Sequence, residues 1–253
     1  MGLCALYAAV RRQQIADAHL KIGFKKIGEM PVLAKLLRPV SLFAKHKRLV
    51  RASDGQVWLR RLCSIPDSIV GLGVRFQGPH PRGPWRVEEM SWTESVREDV
   101  SCLHAVANVG TTAQIWTSDL LGARYGMSEH EYRAIGVWRK DRFVGAAIVR
   151  IVDRQGGIRA AVIMNLVSEP EFPGAGSLAL AAVERLALGE NCDVVLFLDG
   201  ISEVEARLAR RRGYITSPER YTLLLWKDRD IDPAIFPRDR QSWRFSFGDH
   251  DTF

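Results

Sequence analysis

The chain has 253 residues, 47% hydrophobic and 26% charged, with a mean hydropathy of −0.08 and a net charge of +7. This is an ordinary globular composition, sized for one large domain or two small ones. No apolar run approaches the ~20 residues of a membrane span. The start, MGLCALYAAV, is apolar, but Arg11 and Arg12 follow it rather than precede it, and position six is not the Ser or Thr of a myristoylation signal. We read no targeting segment and expect a cytoplasmic protein. Cys4, Cys63, Cys102 and Cys192 are scattered, with no CxxC pair and no Cys/His cluster. That pattern reads as free thiols in a reducing compartment and predicts no metal site. The charge is uneven: residues 1–62 hold 13 Lys and Arg against 3 Asp and Glu. No nucleic-acid motif accompanies this excess, and apolar residues interrupt it. It reads as a solvated basic face, or one serving an anionic substrate, rather than as a nucleic-acid site.

In chain order, residues 14–22 (QIADAHLKI) read as the end of a helix with Gly23 at its C-cap. Residues 24–37 alternate loosely as two short strands broken at Glu29-Met30-Pro31. Residues 38–62 are basic and mixed, a helix and then a loop. The clearest linker is GPHPRGP at 78–84. RVEEM (86–90) reads as a strand, and 93–108 as a helix with Thr93 as its cap and Val96, Val100 and Leu103 on one face. A second short helix covers 114–125. Three strands follow at 132–139, 142–152 and 158–167, with Lys140-Asp141 and Gln155-Gly156-Gly157 as turns: an antiparallel meander. A glycine loop, PGAGS, leads into a helix over 177–189. DVVLFLD (193–199) is nearly all apolar and predicts a strand buried on both faces. Residues 202–212 predict a helix stopped at Gly213. Residues 214–216 and 221–227 predict a closing pair of strands around a turn at Pro218, followed by a charged, aromatic tail. The fold class is therefore α+β, a mixed sheet with an antiparallel meander and helices on both faces. The strands on either side of the 177–189 helix are joined by a crossover and should lie parallel.

This order, with two local motifs, resembles the GNAT acyltransferase superfamily. Glu171-Phe172-Pro173-Gly174-Ala175-Gly176 has the spacing of that family's pyrophosphate loop, Q/R-x-x-G-x-G/A, with Glu in place of Gln or Arg. ARRRGYI (209–215) is similar to the family's helix-ending Gly-Phe signature. The resemblance covers roughly residues 85–227. AHLKIGFKKIGEMPVLAKLLRP (18–39) also looks like the end of such a domain. The whole is similar to the back part of a tandem GNAT-like protein of bacterial polysaccharide loci. The implied division is 1–50 as the remnant of the end of a first repeat, 51–84 as a basic linker, 85–227 as the GNAT-like domain and 228–253 as a C-terminal tail. This reading expects an N-terminally shortened chain.

The resemblance implies an acyl-CoA-dependent acyltransferase, with acetyl-CoA or another acyl-CoA as co-substrate and an amine or sugar hydroxyl as acceptor. It leaves a homo-oligomer open. The acyl-CoA would lie in a splay between the strands 158–167 and 193–199, against Leu166 and Val167. Backbone N–H groups of Gly174, Ala175 and Gly176, with the positive end of the following helix, would hold the pyrophosphate. The two glycines would allow a close approach and positive φ. Ser177 would cap the helix or donate to a phosphate oxygen. A plain glycine turn with a Ser cap fits the same letters. Glu171 would oppose an anion at about 1 kcal/mol or more, unless it rotates into water. Glu169, just past the strand end, is the candidate general base. Asn165 reads as a satisfied strand residue. The family's general acid, a Tyr four residues before the helix-ending Gly, is replaced by Ala209, and by His19 in the first remnant; Tyr214 reads as core. These departures keep a second reading open, a non-catalytic binding or assembly module. Arg207, Arg210, Arg211 and Arg212 suit either a helix C-terminus or CoA phosphates. Asp249, His250 and Asp251 are expected to bind no metal.

Overall fold

A computed structural model of the chain describes residues 5–46, 66–74, 83–126, 132–200, 202–227 and 240–249. The meander forms as its turns dictate. β3 (Trp85–Met90), β4 (Tyr132–Arg139), β5 (Arg142–Arg154) and β6 (Ile158–Ser168) pair antiparallel in sequence. Gly156 and Gly157, at φ 84° and 74°, supply the left-handed backbone of the β5–β6 turn. α4 (Glu94–Ala107) begins at Thr93, whose Oγ1 accepts from the Val96 N–H at 3.3 Å. The short α5 (Ser118–Leu121) runs into a π-turn at Gly122–Gly126.

After β6, helix α6 (Pro173–Gly189) crosses to β7 (Val194–Leu198), which lies parallel to β6 and is buried along its whole length. α7 (Glu203–Arg211) follows, capped by Ser202 and ended by Gly213 at φ 84°. β8 (Ile215–Lys227) closes the chain's regular structure. The N-terminal segment supplies β1 (Ala5–Val10), α1 (Gln13–Lys21) and β2 (Lys25–Leu36) to the same sheet. The order is β1-β8-β2-β7-β6-β5-β4-β3, eight strands with β6–β7 as the parallel pair.

The centre of this sheet has an internal symmetry. β1–α1–β2 and β7–α7–β8 are each a strand, a helix ended by a glycine at positive φ, and a long strand. β2 pairs with β8, while β1 pairs with β8 and β7 pairs with β2, all antiparallel. The two units have therefore exchanged long strands about an axis between β2 and β8.

Three expectations are corrected. β2 is one strand rather than two, and β8 is one strand rather than a hairpin. Proline should interrupt both. Instead Ser217, Pro218 and Glu219 of β8 stand opposite Val32 alone, so the ladder steps over Pro218 and resumes at Pro31↔Arg220. The helix expected from residue 177 starts at Pro173, so the glycines belong to its first turn rather than to a loop. The aromatic tail contributes to the core, where Trp243, Phe245 and Phe247 are buried. Part of the expected linker is also ordered. Residues 66–74 form a helix, α3, and Asp67 accepts from the Val40 and Ser41 N–H groups at 2.9 and 3.0 Å, capping α2 (Pro39–His46) from another element. The GPHPRGP stretch lies mostly outside the described residues.

Two cores follow from the two faces of the sheet. One lies under α6 and α7 and includes Val144, Leu166, Leu180, Val183 and Phe197. The other lies under α4, α5 and the tail and includes Trp116, Tyr125, Val162, Leu196 and Phe245.

Candidate acyl-CoA site

The site is built by a defect in β6. Ile148 faces Asn165 and Val149 faces Ile163, so Met164 is an extra residue on β6. A bulge bends its strand. The parallel pairing of β6 with β7 ends at the same point, its last pair being Ile163↔Phe197. Beyond it the strands diverge: β6 continues along β5 to Ser168, while β7 stays with β2, its Leu198 facing Val32. The expected splay is thus present, and Met164 gives its cause.

α6 begins at the mouth of this splay. Its N-cap, Phe172, makes no side-chain capping bond, and no acidic residue stands in the first turn. The orphan N–H end of the helix keeps its partial positive charge uncompensated. Pro173 contributes no N–H, and the Ala175 N–H turns back to the Phe172 carbonyl at 2.8 Å. Gly174 is exposed, and a Cβ there would lie 3.8 Å from the Trp85 ring, in ordinary contact. Gly176 is buried, and a Cβ there would meet Ser168 Oγ at 3.2 Å and Leu208 at 3.3 Å. The two glycines therefore differ. Gly174 borders open space, while Gly176 lets α6 close onto β6 and α7. Neither has positive φ, against expectation, because both are helical. Ser177 is not a cap, because it lies in the second turn of the helix.

Arginines missed in the sequence surround this helix start. The Arg139 guanidinium lies 4.9 Å from the Phe172 ring centroid and 5.7 Å from that of Trp85; Arg142 lies 5.3 Å from Phe172. Trp85 and Phe172 meet edge to face. Both arginines flank the Lys140-Asp141 turn, and their side chains converge because the β4–β5 hairpin pairs Arg139 with Arg142. That pairing was the available signal. Glu169 is buried and ion-paired to Arg142 Nη2, and its N–H donates to the Val144 carbonyl at 2.9 Å. Glu171 is exposed, 3.9 Å from Arg142 Nη1, so its charge is partly matched and free to turn away. Leu166 and Val167 are buried on opposite faces of β6. Asn165 is buried on β6 opposite Ile148.

Ala209 is fully buried on the core side of α7 and carries no proton donor. Tyr214 packs on Phe197, as core. Three of the four arginines in and just past α7 are paired structurally: Arg207 with Glu203, Arg210 with Asp199 and Arg212 with Glu184.

At its end β6 meets a buried polar cluster that the sequence did not disclose. Ser168 Oγ donates to Glu205 Oε1 at 3.3 Å, and Arg244 Nη2 lies 3.6 Å from the same oxygen. Arg244 also donates to the Leu166 carbonyl at 2.9 Å. His104 lies beside it, tilted against the Trp116 ring. Burial, reinforced by the Arg244 charge, pushes the His104 imidazole down to about 3. An unfolded His titrates near 6.5, so between those values the unfolded chain binds a proton that the folded chain does not. Stability is full above pH ~6.5 and falls as pH drops toward 3, by at most ~1.4 kcal/mol per unit. Denaturant midpoints at pH 7, 5.5 and 4 should show this slope, and His104→Gln should flatten it.

A cavity of about 1590 Å³ lies on the face away from α6. Its floor is Ala34, Leu36, Ile158, Val194 and Leu196, and it reaches Phe245 and Asp249 of the tail. Arg11 and Arg154 at its rim pair with Glu219. Among the described residues no group of three His, Cys, Asp or Glu could hold a metal, and no helix is long and apolar enough to cross a membrane.

No protein-family model and no curated protein matches this chain. Solved structures do. The chain is similar to a tandem GNAT protein from the clavulanic acid biosynthesis pathway, at 12% identity and a TM-score of 0.55, over 90% of this chain and 66% of that one. It is similar to Saccharomyces cerevisiae N-myristoyltransferase, crystallised with bound myristoyl-CoA, at 12% identity and 0.54, over 87% and 53%. A GCN5-related N-acetyltransferase from Anabaena variabilis gives 11% and 0.52, over 88% and 45%. The chain thus spans about half to two thirds of the length of these proteins. At such identities the likeness concerns the backbone, and the chain has a GNAT-like fold.

Proposed function

We propose that the chain is an acyl-CoA-dependent acyltransferase, moving an acetyl or other acyl group to an amine or hydroxyl. The observation that carries this reading is the coincidence of three features along the end of β6: the bulge at Met164, the uncapped start of α6, and the converging Arg139 and Arg142. The pyrophosphate would lie on the exposed Gly174 face of the first turn, between those guanidiniums. The pantetheine would run into the splay past Leu166 and Val167. An incoming phosphate competes with Glu169 for Arg142. Release of Glu169 then leaves that carboxylate beside the phosphates, a pantetheine length from the thioester, so the acceptor's proton passes to the departing thiolate. The thiolate leaves without a tyrosine acid. The open cavity on the opposite face is the acceptor's approach.

The internal symmetry of β1–α1–β2 and β7–α7–β8 supports residues 1–50 as the end of a first repeat, with 85–227 as the second GNAT-like domain. Buried Ala209 favours one alternative, a module that binds acyl-CoA without turnover. Incubation with acetyl-CoA and a panel of amines and sugars, with free thiol as readout, separates the two. Acceptor-dependent thiol release supports the enzyme, and tight CoA binding without release supports the module.

A further inference from the structure

The C-terminal segment Trp243–Asp249 lies where the proposed acyl-CoA site and the open cavity would meet, and it touches both edges of the splay. On one side the Arg244 guanidinium donates to the Leu166 carbonyl of β6 at 2.9 Å. On the other, the Phe245 N–H donates to the carbonyl of Gly200, two residues past β7, at 2.7 Å. The fit needs glycine on both partners. A Cβ on Gly200 would lie 2.4 Å from the Phe245 carbonyl oxygen. A Cβ on Gly248 would lie 2.5 Å from the Trp116 ring and the Tyr125 hydroxyl and 2.8 Å from the Met164 carbonyl at the bulge. Beyond the splay, Phe245 and Asp249 line the cavity.

We propose that Arg244–Phe245 is a partition seated in the splay, which the pantetheine arm of acyl-CoA must displace, and whose displacement joins the thioester to the cavity on the other face. The proposal rests on the acyl-CoA reading above. The carbonyls that the segment occupies, Leu166 and Gly200, lie beyond the last β6–β7 pair, so a pantetheine amide entering the splay would compete for them.

The seat is held but costly. Trp243, Phe245 and Phe247 are buried, which favours it. Against this, Arg244 is only 7% exposed, and its Nε has no partner among the described residues. Burying a guanidinium with an unmet donor opposes the hydrophobic gain. Such a balance lets a ligand shift the segment, at the expense of apparent affinity, which falls by the fraction of molecules in the open state.

The test is hydrogen exchange on the full chain, with and without saturating CoA, beside a CoA titration of the wild type and of Gly248→Ala. We expect CoA to slow exchange in the first turn of α6 and to speed it at least tenfold over 244–249. We expect Gly248→Ala to bind CoA at least tenfold more tightly. If α6 slows while 244–249 is unchanged or slows too, the segment is a fixed wall and the proposal fails, although the acyl-CoA reading survives. If the wild type binds nothing but Gly248→Ala does, the proposal stands in its strongest form. If neither binds at millimolar CoA, the acyl-CoA reading falls and the partition with it. Should Gly248→Ala fold poorly, the exchange comparison on the wild type decides alone.

Discussion

Glu184→Ala should unfold the chain at a temperature roughly 10 °C below the wild type, from a loss of about 3–5 kcal/mol. Glu184 is completely buried on α6 and holds two cations. Lys35 Nζ of β2 lies 2.9 Å from Oε2, and Arg212, just past α7, donates to Oε1 at 2.9 Å and to Oε2 at 2.6 Å. Both cations are nearly inaccessible, with side chains 6% and 8% exposed. Burial already presses the Lys35 amine below its usual range, and Glu184 holds it up. Removing the carboxylate leaves two like charges buried without a counter-ion, which accounts for the size of the loss. The triad also ties the N-terminal unit to α6 and α7, so the mutant should lose cooperativity as well as stability. Arg207→Ala is the control. Its i,i+4 pair with Glu203 is exposed on both sides and should be worth a few tenths of a kcal/mol. Thermal melts of the three proteins check the expectation.

Gly174→Asp should separate binding from folding. The position is exposed, helical and spacious, so the side chain fits. A carboxylate in the first turn complements the helix dipole, and stability should hold or rise by about 0.3–1 kcal/mol. The same charge would stand beside the proposed pyrophosphate. At an effective dielectric near 20 a like charge ~5 Å away costs on the order of 3 kcal/mol, so CoA affinity should fall at least ~30-fold. A paired melt and calorimetric titration reads both. An unchanged CoA affinity would move the phosphates away from α6.

What the sequence disclosed was local. The hairpin turns, the Thr93 cap, the Gly213 stop and the all-apolar β7 each follow from a few neighbouring residues, and each stands where expected. What it hid was the outcome of long-range competition. Pro31 and Pro218 read as breaks, but the β2–β8 ladder takes Pro218 into a bulge opposite Val32 and resumes at Pro31↔Arg220. PGAGS read as a loop because Gly and Pro punctuate chains. Pro is also favoured in a helix's first turn, and Gly176 is required by contact with Ser168 and Leu208, which are distant in sequence or on another helix. The burial of the aromatic tail could not be read from its own residues because it depends on Gly200 and Trp116, far upstream. The site was legible as a place, the junction of β6 and α6. Its electrostatics were not, because Arg139 and Arg142 converge only once the β4–β5 hairpin forms.

Glu171, which stood against an anion in the sequence, is an exposed side chain near Arg142, and the buried carboxylate at the site is Glu169. The central claim therefore rests on the charge and shape of the α6 mouth. Isothermal titration of the wild-type chain with acetyl-CoA tests it most directly. The account predicts saturable 1:1 binding with a Kd below about 1 mM, near −4 kcal/mol or tighter, weakened by added pyrophosphate. Absence of heat and of any exchange protection in α6 at several-fold higher ligand, in the wild type and in Gly248→Ala alike, would contradict it.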